Sequence, residues 1–401
     1  MERFNEVWQK ASDPDEIRPG KGWDEEFDDY YPGGSGNDAL FDPDPVTAEL
    51  KPYTFEPDNP YLNHPDPLGE GLRLWNEGGQ LSAAALAFEA AAQRDPNDAR
   101  AWMLLGQVQA ENEKEDPAIA ALQRAVKEDN NNLPALMSLA VSYTNEGHDL
   151  QAYSTLYRWL STRYPEIVNG SPLPDKASAT LTPQDYHDRI TNLFLQSAAR
   201  SEQVDPDVQV GLGVLFYNAG DYDKAVDCFS SALSARPGDY VLWNRLGATL
   251  ANSGKSEEAI EAYYKALEIK PSFVRGRYNL GVSCINIGVY KEAAEHLLGA
   301  LSMHVVGGDG SASTAHQRNI SQNLWDTLRR TFVMMERRDL SDMCHPGTDL
   351  HAFRTGEYPR RKLLSSVVTD SDSLTFFRVR VLSIRFQYYL GVAKTNVTSA
   401  T

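Results

Sequence analysis

Residues 211–216 read Gly-Leu-Gly-Val-Leu-Phe, residues 242–252 read Leu-Trp-Asn-Arg-Leu-Gly-Ala-Thr-Leu-Ala-Asn, and residues 277–286 read Arg-Tyr-Asn-Leu-Gly-Val-Ser-Cys-Ile-Asn. Laid over one another, they set Gly213, Gly247 and Gly281 at a constant interval of 34 residues. The same interval relates Ala225, Ala259 and Ala293, and again Ala232, Ala266 and Ala300, while Pro237 and Pro271 close two of the units. Working outward, Trp102 and Leu136 keep the spacing, as do Ala118 and Ala152, and Gly106 is answered by Ala140. A weaker first copy runs through Trp75, Ala84, Phe88, Ala91 and Pro96.

A 34-residue period is that of the tetratricopeptide repeat. Each unit is a pair of antiparallel helices that approach closely where Gly or Ala leaves no side chain in the way. Trp243, Leu246, Phe229 and Tyr263 fill the groove between hairpins, and the prolines open the next unit, because proline is tolerated in the first turn of a helix. No hairpin buries its apolar face alone, so neighbours stack and rotate into a superhelix with a concave inner wall. The expectation is an all-α, right-handed superhelix of about six to seven hairpins. Its blocks fall at 59–160 and 205–303, around an irregular hinge or distorted repeat at 161–204. Residues 304–355 supply a loop and a helical cap, and 356–401 form a basic tail with no assigned role.

Residues 1–58 are rich in Asp, Glu, Gly and Pro and read as a disordered arm. Over residues 1–70 there are 18 acidic side chains and 5 basic ones, so most of the net charge of -18 sits there. That surplus disfavours nucleic-acid binding, which needs positive charge to displace counterions. No run of about 18 apolar residues suggests a membrane span. The three cysteines, Cys228, Cys284 and Cys344, have no metal spacing and suit a reducing cytosol.

The sequence offers no catalytic constellation, phosphate loop or zinc motif, so no enzyme activity, metal or cofactor is expected. His296 and His304 lie near Cys284 but read as core or solvated histidines. What recurs is asparagine: Asn145, Asn218, Asn252 and Asn286 each stand near the end of a first helix, two residues before a glycine. Such residues either cap helix ends or form a ladder of carboxamides that grips a peptide backbone with both donors and acceptors. Arg275, Asn279 and Asn286 share one helix face, and Asn244, Ala248 and Asn252 step along another. An asparagine early in a helix is not a C-cap, Ala248 leaves space between two amides, and an arginine in such a row suits a carboxylate. Asn244 and Asn279 thus favour binding over capping.

With these stretches in view, the chain resembles the receptors for type 1 peroxisomal targeting signals. Gln-Ala-Glu-Asn-Glu at 109–113, Ala-Val-Ser-Tyr-Thr-Asn-Glu at 140–146 and Tyr-Thr-Phe-Glu-Pro-Asp-Asn-Pro at 53–60 carry the resemblance with the three stretches quoted above. It covers roughly residues 52–340. It implies a cytosolic receptor that cycles to the peroxisome membrane and grips proteins ending in a Ser-Lys-Leu-like tripeptide. The family's peptide-contacting asparagines fall at Asn145, Asn244, Asn252, Asn279 and Asn286, with Thr144 beside them. Arg275 and Arg245 would attract the terminal carboxylate, and Glu113, with Glu111, would face the signal's basic side chain. Trp23-Asp24-Glu25-Glu26-Phe27 resembles the family's Trp-x-x-x-Phe/Tyr motif for docking proteins at the peroxisomal membrane. Trp23 and Phe27 would share one face of a helix.

Relatives carry a longer arm, several such motifs and a cysteine near the start used in recycling. Here no cysteine precedes Cys228, as in a shortened form or an incomplete gene model. Two other readings remain: a co-chaperone clamping a heat-shock protein's acidic C-terminus, which would need several lysines on the concave wall, and a scaffold whose asparagines only cap.

Overall fold

The computed structural model describes residues 52–170, 182–200, 203–304 and 321–355. The arm with Trp23 and Phe27 and the basic tail from residue 356 lie outside the described residues. The chain divides into units of residues 1–350 and 351–401, and the helical repeats all belong to the first.

Every regular element among the described residues is a helix. Three hairpins come first: α1 (Pro67–Asn76) with α2 (Leu81–Arg94), α3 (Ala99–Glu111) with α4 (Glu115–Glu128), and α5 (Leu133–Asn145) with α6 (Asp149–Arg163). The short α7 (Pro165–Gly170) and the long α8 (Pro183–Arg200) interrupt the pattern. Three more hairpins follow: α9 (Pro206–Asn218) with α10 (Tyr222–Ala235), α11 (Tyr240–Asn252) with α12 (Ser256–Ile269), and α13 (Val274–Asn286) with α14 (Tyr290–Met303). Helix α15 (Gln322–Met334) and the single turn α16 (Arg338–Ser341) come after.

The repeat writes its own helix starts. Asp98, Asn132, Asp205 and Asp239 precede α3, α5, α9 and α11, and each side chain accepts a backbone N–H from the first turn, satisfying donors that the helix leaves open. At the next equivalent position Phe273 makes no such bond and is 1% exposed, so apolar packing replaces the cap there. Within a hairpin the recurring glycine is a matter of room. A Cβ on Gly213 would sit 2.6 Å from the Phe229 ring, and one on Gly247 would sit 2.7 Å from that of Tyr263. Ala225, Ala232, Ala259 and Ala266 are fully buried on the facing helices.

Although the sequence pattern lapses between the blocks, packing does not. Phe194 of α8 stacks on Trp159 at 5.7 Å, and a Cβ on Gly211 would fall 2.2 Å from the Phe194 ring. Helix α8 therefore serves α9 as the second helix of an ordinary hairpin would. At the far end, Leu324, Trp325, Leu328 and Phe332 of α15 are buried, and the Tyr278 hydroxyl lies 3.3 Å from Thr327 Oγ1.

The stack curves until its two blocks meet. The turn between α3 and α4 reaches the second block, where Tyr240 donates to Glu111 across 129 residues of sequence and His304 Nε2 donates to the Asn112 carbonyl across 192. No helix among the described residues is long and apolar enough to cross a membrane.

Candidate functional site

The concave wall encloses a cavity of about 1030 Å3 between the two blocks. Helices α3 and α5 line one side, α9, α11 and α13 the other. All ten residues singled out from sequence for peptide contact (Glu113, Thr144, Asn145, Asn244, Arg245, Ala248, Asn252, Arg275, Asn279 and Asn286) line this cavity. Asn218, the one helix-end asparagine not placed among the family's peptide-contacting positions, is not among its lining residues.

The terminal asparagines do not cap. At these turns the backbone closes itself: Gly147, Gly220, Gly254 and Gly288 adopt φ of 70–81°, and their N–H groups, with those of the following residues, reach back to the last turn, as in glycine-terminated helices. The amides are thereby released to side chains. Asn145 Nδ2 donates to Glu115 Oε1 at 2.8 Å, Asn252 Nδ2 donates to the Tyr217 hydroxyl, and Asn218 Nδ2 donates to Thr144 Oγ1 at 3.3 Å. Asn279 Nδ2 donates to Asn244 Oδ1 at 3.0 Å, joining the first helices of two successive repeats. This pair leaves the Asn279 carbonyl and the Asn244 amide hydrogens for a guest, one acceptor and one donor side by side, which is what an extended peptide backbone requires.

The two arginines are in unlike states. Arg275 Nε donates to the Ala110 carbonyl at 2.6 Å and lies 3.3 Å from Glu113 Oε2, while its Nη2 is bonded to Glu115 Oε2. Burial opposes its charge, but the Glu113 and Glu115 carboxylates hold its pKa above the ordinary arginine value. Arg275 and Glu113, which the resemblance gave to a guest's carboxylate and basic side chain, are thus placed in contact with each other. Arg245, a half-buried residue, differs: its guanidinium lies within 4.0 Å of no carboxylate among the described residues, and burial depresses its pKa, with Asp239 and Asp207 opposing from a distance. Of the four arginines on the wall, Arg236 is gripped by Asp207 at 2.7 and 2.9 Å, and Arg163 lies 3.6 Å from Asp205. An entering anion therefore meets Arg245 as the cation with its charge still to be matched.

Glu111 is strongly perturbed. Burial pushes its pKa to about 7, against hydrogen bonds donated by Tyr240 Oη at 2.7 Å and Trp75 Nε1 at 3.0 Å. Sequence reasoning missed Glu115, Tyr217 and Tyr240, the partners that hold Arg275, Asn252 and Glu111, because each acts from another repeat. One signal was present: Glu113 stands 34 residues before Gly147 and itself adopts φ 60°. A charged residue where other turns carry glycine marks a strained backbone kept for its side chain. The cavity also has an apolar stretch of Leu133, Pro134, Met137, Trp159 and Val210. Among the described residues no cluster of three or more His, Cys, Asp or Glu could hold a metal ion.

A tetratricopeptide-repeat family model matches residues 68–132, 195–240 and 210–272. The chain is 56% identical over 309 residues to the peroxisomal targeting signal receptor of Yarrowia lipolytica, covering 76% of this chain and 51% of that protein. It is 52% identical over 322 residues to the receptor of that name from Candida albicans, covering 78% and 54%. With the one from Eremothecium gossypii it shares 46% identity over 364 residues, covering 89% and 60%. The chain thus spans little more than half the length of these relatives.

Proposed function

Because this chain is a tetratricopeptide-repeat protein that shares its repeat domain with the peroxisomal targeting signal receptors, we propose that it is a cargo receptor for C-terminal, Ser-Lys-Leu-like signals. The observation that carries the reading is the Asn279–Asn244 amide pair, set on the same wall as an arginine with no bound carboxylate among the described residues. The amides grip the guest's backbone whatever its side chains. Arg245 attracts the terminal carboxylate, and Glu111 accepts from the signal's basic side chain once ionised. Asn145, Asn252 and Asn286, with Thr144 and the space above Ala248, extend the grip along the peptide. In this reading the receptor meets cargo in the cytosol and carries it to docking proteins at the peroxisomal membrane through the Trp23–Phe27 motif.

The wall's charge speaks against the co-chaperone clamp. Among the described residues no lysine lines the cavity, and three of its four arginines already lie beside carboxylates, so a tail with several acids would find one matched partner. The test is a titration of the full chain with a fluorescent peptide ending in Ser-Lys-Leu and with its C-terminally amidated twin. Binding of the acid form, weakened by Asn279→Ala, is expected. Failure of both peptides while a heat-shock protein tail binds would overturn the proposal.

A further inference from the structure

The turn joining α3 to α4 is unlike its counterparts. Glu111, Asn112, Glu113, Lys114 and Glu115 are five consecutive polar residues, each no more than 9% exposed, whereas the turns at 145–148 and 286–288 are exposed. The turn is held directly by the second block, and Gln109, two residues before it, is bonded to a strap. On one side lies an extended strap, residues 53–59. Tyr53 Oη donates to Glu89 Oε1 at 2.6 Å and accepts from Gln109 Nε2 at 2.9 Å, the Glu56 N–H donates to Glu89 Oε2 at 3.1 Å, and Asn59 Nδ2 donates to the Leu86 carbonyl at 2.7 Å. The rings of Tyr53, Phe55 and Trp102 meet at 5.1–5.7 Å. On the other side lies the second block, through Tyr240 to Glu111, His304 to the Asn112 carbonyl, and Arg275 to the Ala110 carbonyl, Glu113 and Glu115.

We propose that the strap is a regulatory element: its docking on α2 and α3 holds the 110–115 turn in the conformation that clasps Arg275, so that strap docking and cavity occupancy favour each other. The strap is also the first described segment after the acidic arm, so whatever binds or pulls the arm acts on the cavity wall through seven residues of chain. Helix α13 carries both the clasped Arg275 and the peptide-facing Asn279, one helical turn apart, so loosening the clasp loosens the amide ladder.

The junction is built at a cost that makes it able to open. Lys114 Nζ, Gln109 Oε1 and Asn112 Oδ1 are buried with no hydrogen-bond partner among the described residues, and such groups are expensive to leave unmatched. Glu113 adds a left-handed backbone without glycine. Burial brings the Lys114 pKa down to about 7, with Glu89 and Glu56 opposing, and His304 to about 3. A seam assembled from apolar side chains would close more firmly and respond less. Because both ends of the coupling are equilibria, the linkage is reciprocal.

The peptide arm of the test rests on the receptor reading; the exchange arm does not. Tyr53→Phe in the full chain keeps the ring packing and deletes both hydroxyl hydrogen bonds. Amide hydrogen exchange over 274–280 is expected to quicken about tenfold, the equivalent of one to two ordinary hydrogen bonds, with exchange over α9 and α10 unchanged. Affinity for the Ser-Lys-Leu peptide should fall several-fold, and saturating peptide should restore protection of the strap's own amides. Asn59→Ser, which loosens the strap at the end remote from the turn, should give the same pattern more weakly and decides the matter if Tyr53→Phe loses protection throughout. Faster exchange at Glu56 with unaltered exchange over 274–280 in Asn59→Ser would overturn the coupling. Peptide failing to bind the unaltered chain would sink the receptor reading, leaving the coupling to stand or fall on exchange alone.

Discussion

The sharpest consequence of the site concerns Arg245→Gln. Arg245 has no carboxylate within ion-pair distance among the described residues, and burial disfavours its charge, so removing it breaks no native ion pair and should leave stability unchanged or raise it. Its effect belongs to the ligand. Opposite charges 4 Å apart interact by about 4 kcal/mol at an effective dielectric constant of about 20. Desolvating the peptide's carboxylate removes part of this, leaving the ~1.5–3 kcal/mol typical of a hydrogen bond to a charged group. The acid peptide should therefore bind Arg245→Gln about 10- to 150-fold more weakly. The amidated peptide, which never offered the charge, should change by less than about threefold. Fluorescence anisotropy with both peptides on both proteins closes a double-mutant cycle whose coupling energy is the arginine–carboxylate term. Should Arg245→Gln still distinguish acid from amide as strongly as the unaltered chain, the carboxylate is read elsewhere. The reasoning that Arg275 is neutralised by Glu113 and Glu115 would then fail with it.

Arg275→Ala is the structural counterpart: it leaves Glu113 and Glu115 buried beside each other, and urea unfolding should show a loss of roughly 3–5 kcal/mol. Gly213→Ala drives a methyl group into the Phe229 ring at 2.6 Å, whereas Gly281→Ala meets Leu297 Cγ at 3.1 Å. The first should cost about 1–3 kcal/mol and the second less than about 1 kcal/mol, read from denaturation midpoints. For Glu111, a folded-state pKa of about 7 against the ordinary 4.5 means that the folded chain holds a proton the unfolded chain has released. Its stabilising contribution is complete below the ordinary value and is lost as pH rises through 7. Relative to Glu111→Gln, the unaltered protein should lose up to roughly 3 kcal/mol of stability between pH 5 and pH 8, a trend that a flat difference would refute.

Much of this molecule was legible before its structure was. The recurrence of Gly213, Gly247 and Gly281 at one interval states that helices touch there, because a helical hairpin can close only where a side chain is missing. Stacking follows from the apolar faces that each hairpin leaves bare. Asn244 and Asn279 could be assigned to the concave wall because helical periodicity is local, and a residue's face depends only on its neighbours in the same helix. The capping of α3, α5, α9 and α11 by Asp or Asn is equally local.

Tertiary structure decided what depends on distance along the chain. The pattern lapse at 161–204 left a hinge and a distorted repeat open; in the structure Phe194 packs on Trp159 and fills the space that Gly211 leaves, because shape rather than repeat consensus is what stacking requires. The terminal asparagines could equally have been caps; only the neighbouring repeat shows their amides turned to Glu115, Tyr217 and Thr144. Arg275 is the clearest case. In sequence it is a cation on the same face as Asn279, and Glu113 and Glu115 lie 162 and 160 positions before it. Periodicity within each helix places both sets of residues on the wall, but whether they meet depends on the accumulated rotation of the intervening hairpins. No single repeat contains that rotation, and it decides which arginine is clasped by carboxylates across the arc and which has none within ion-pair distance among the described residues.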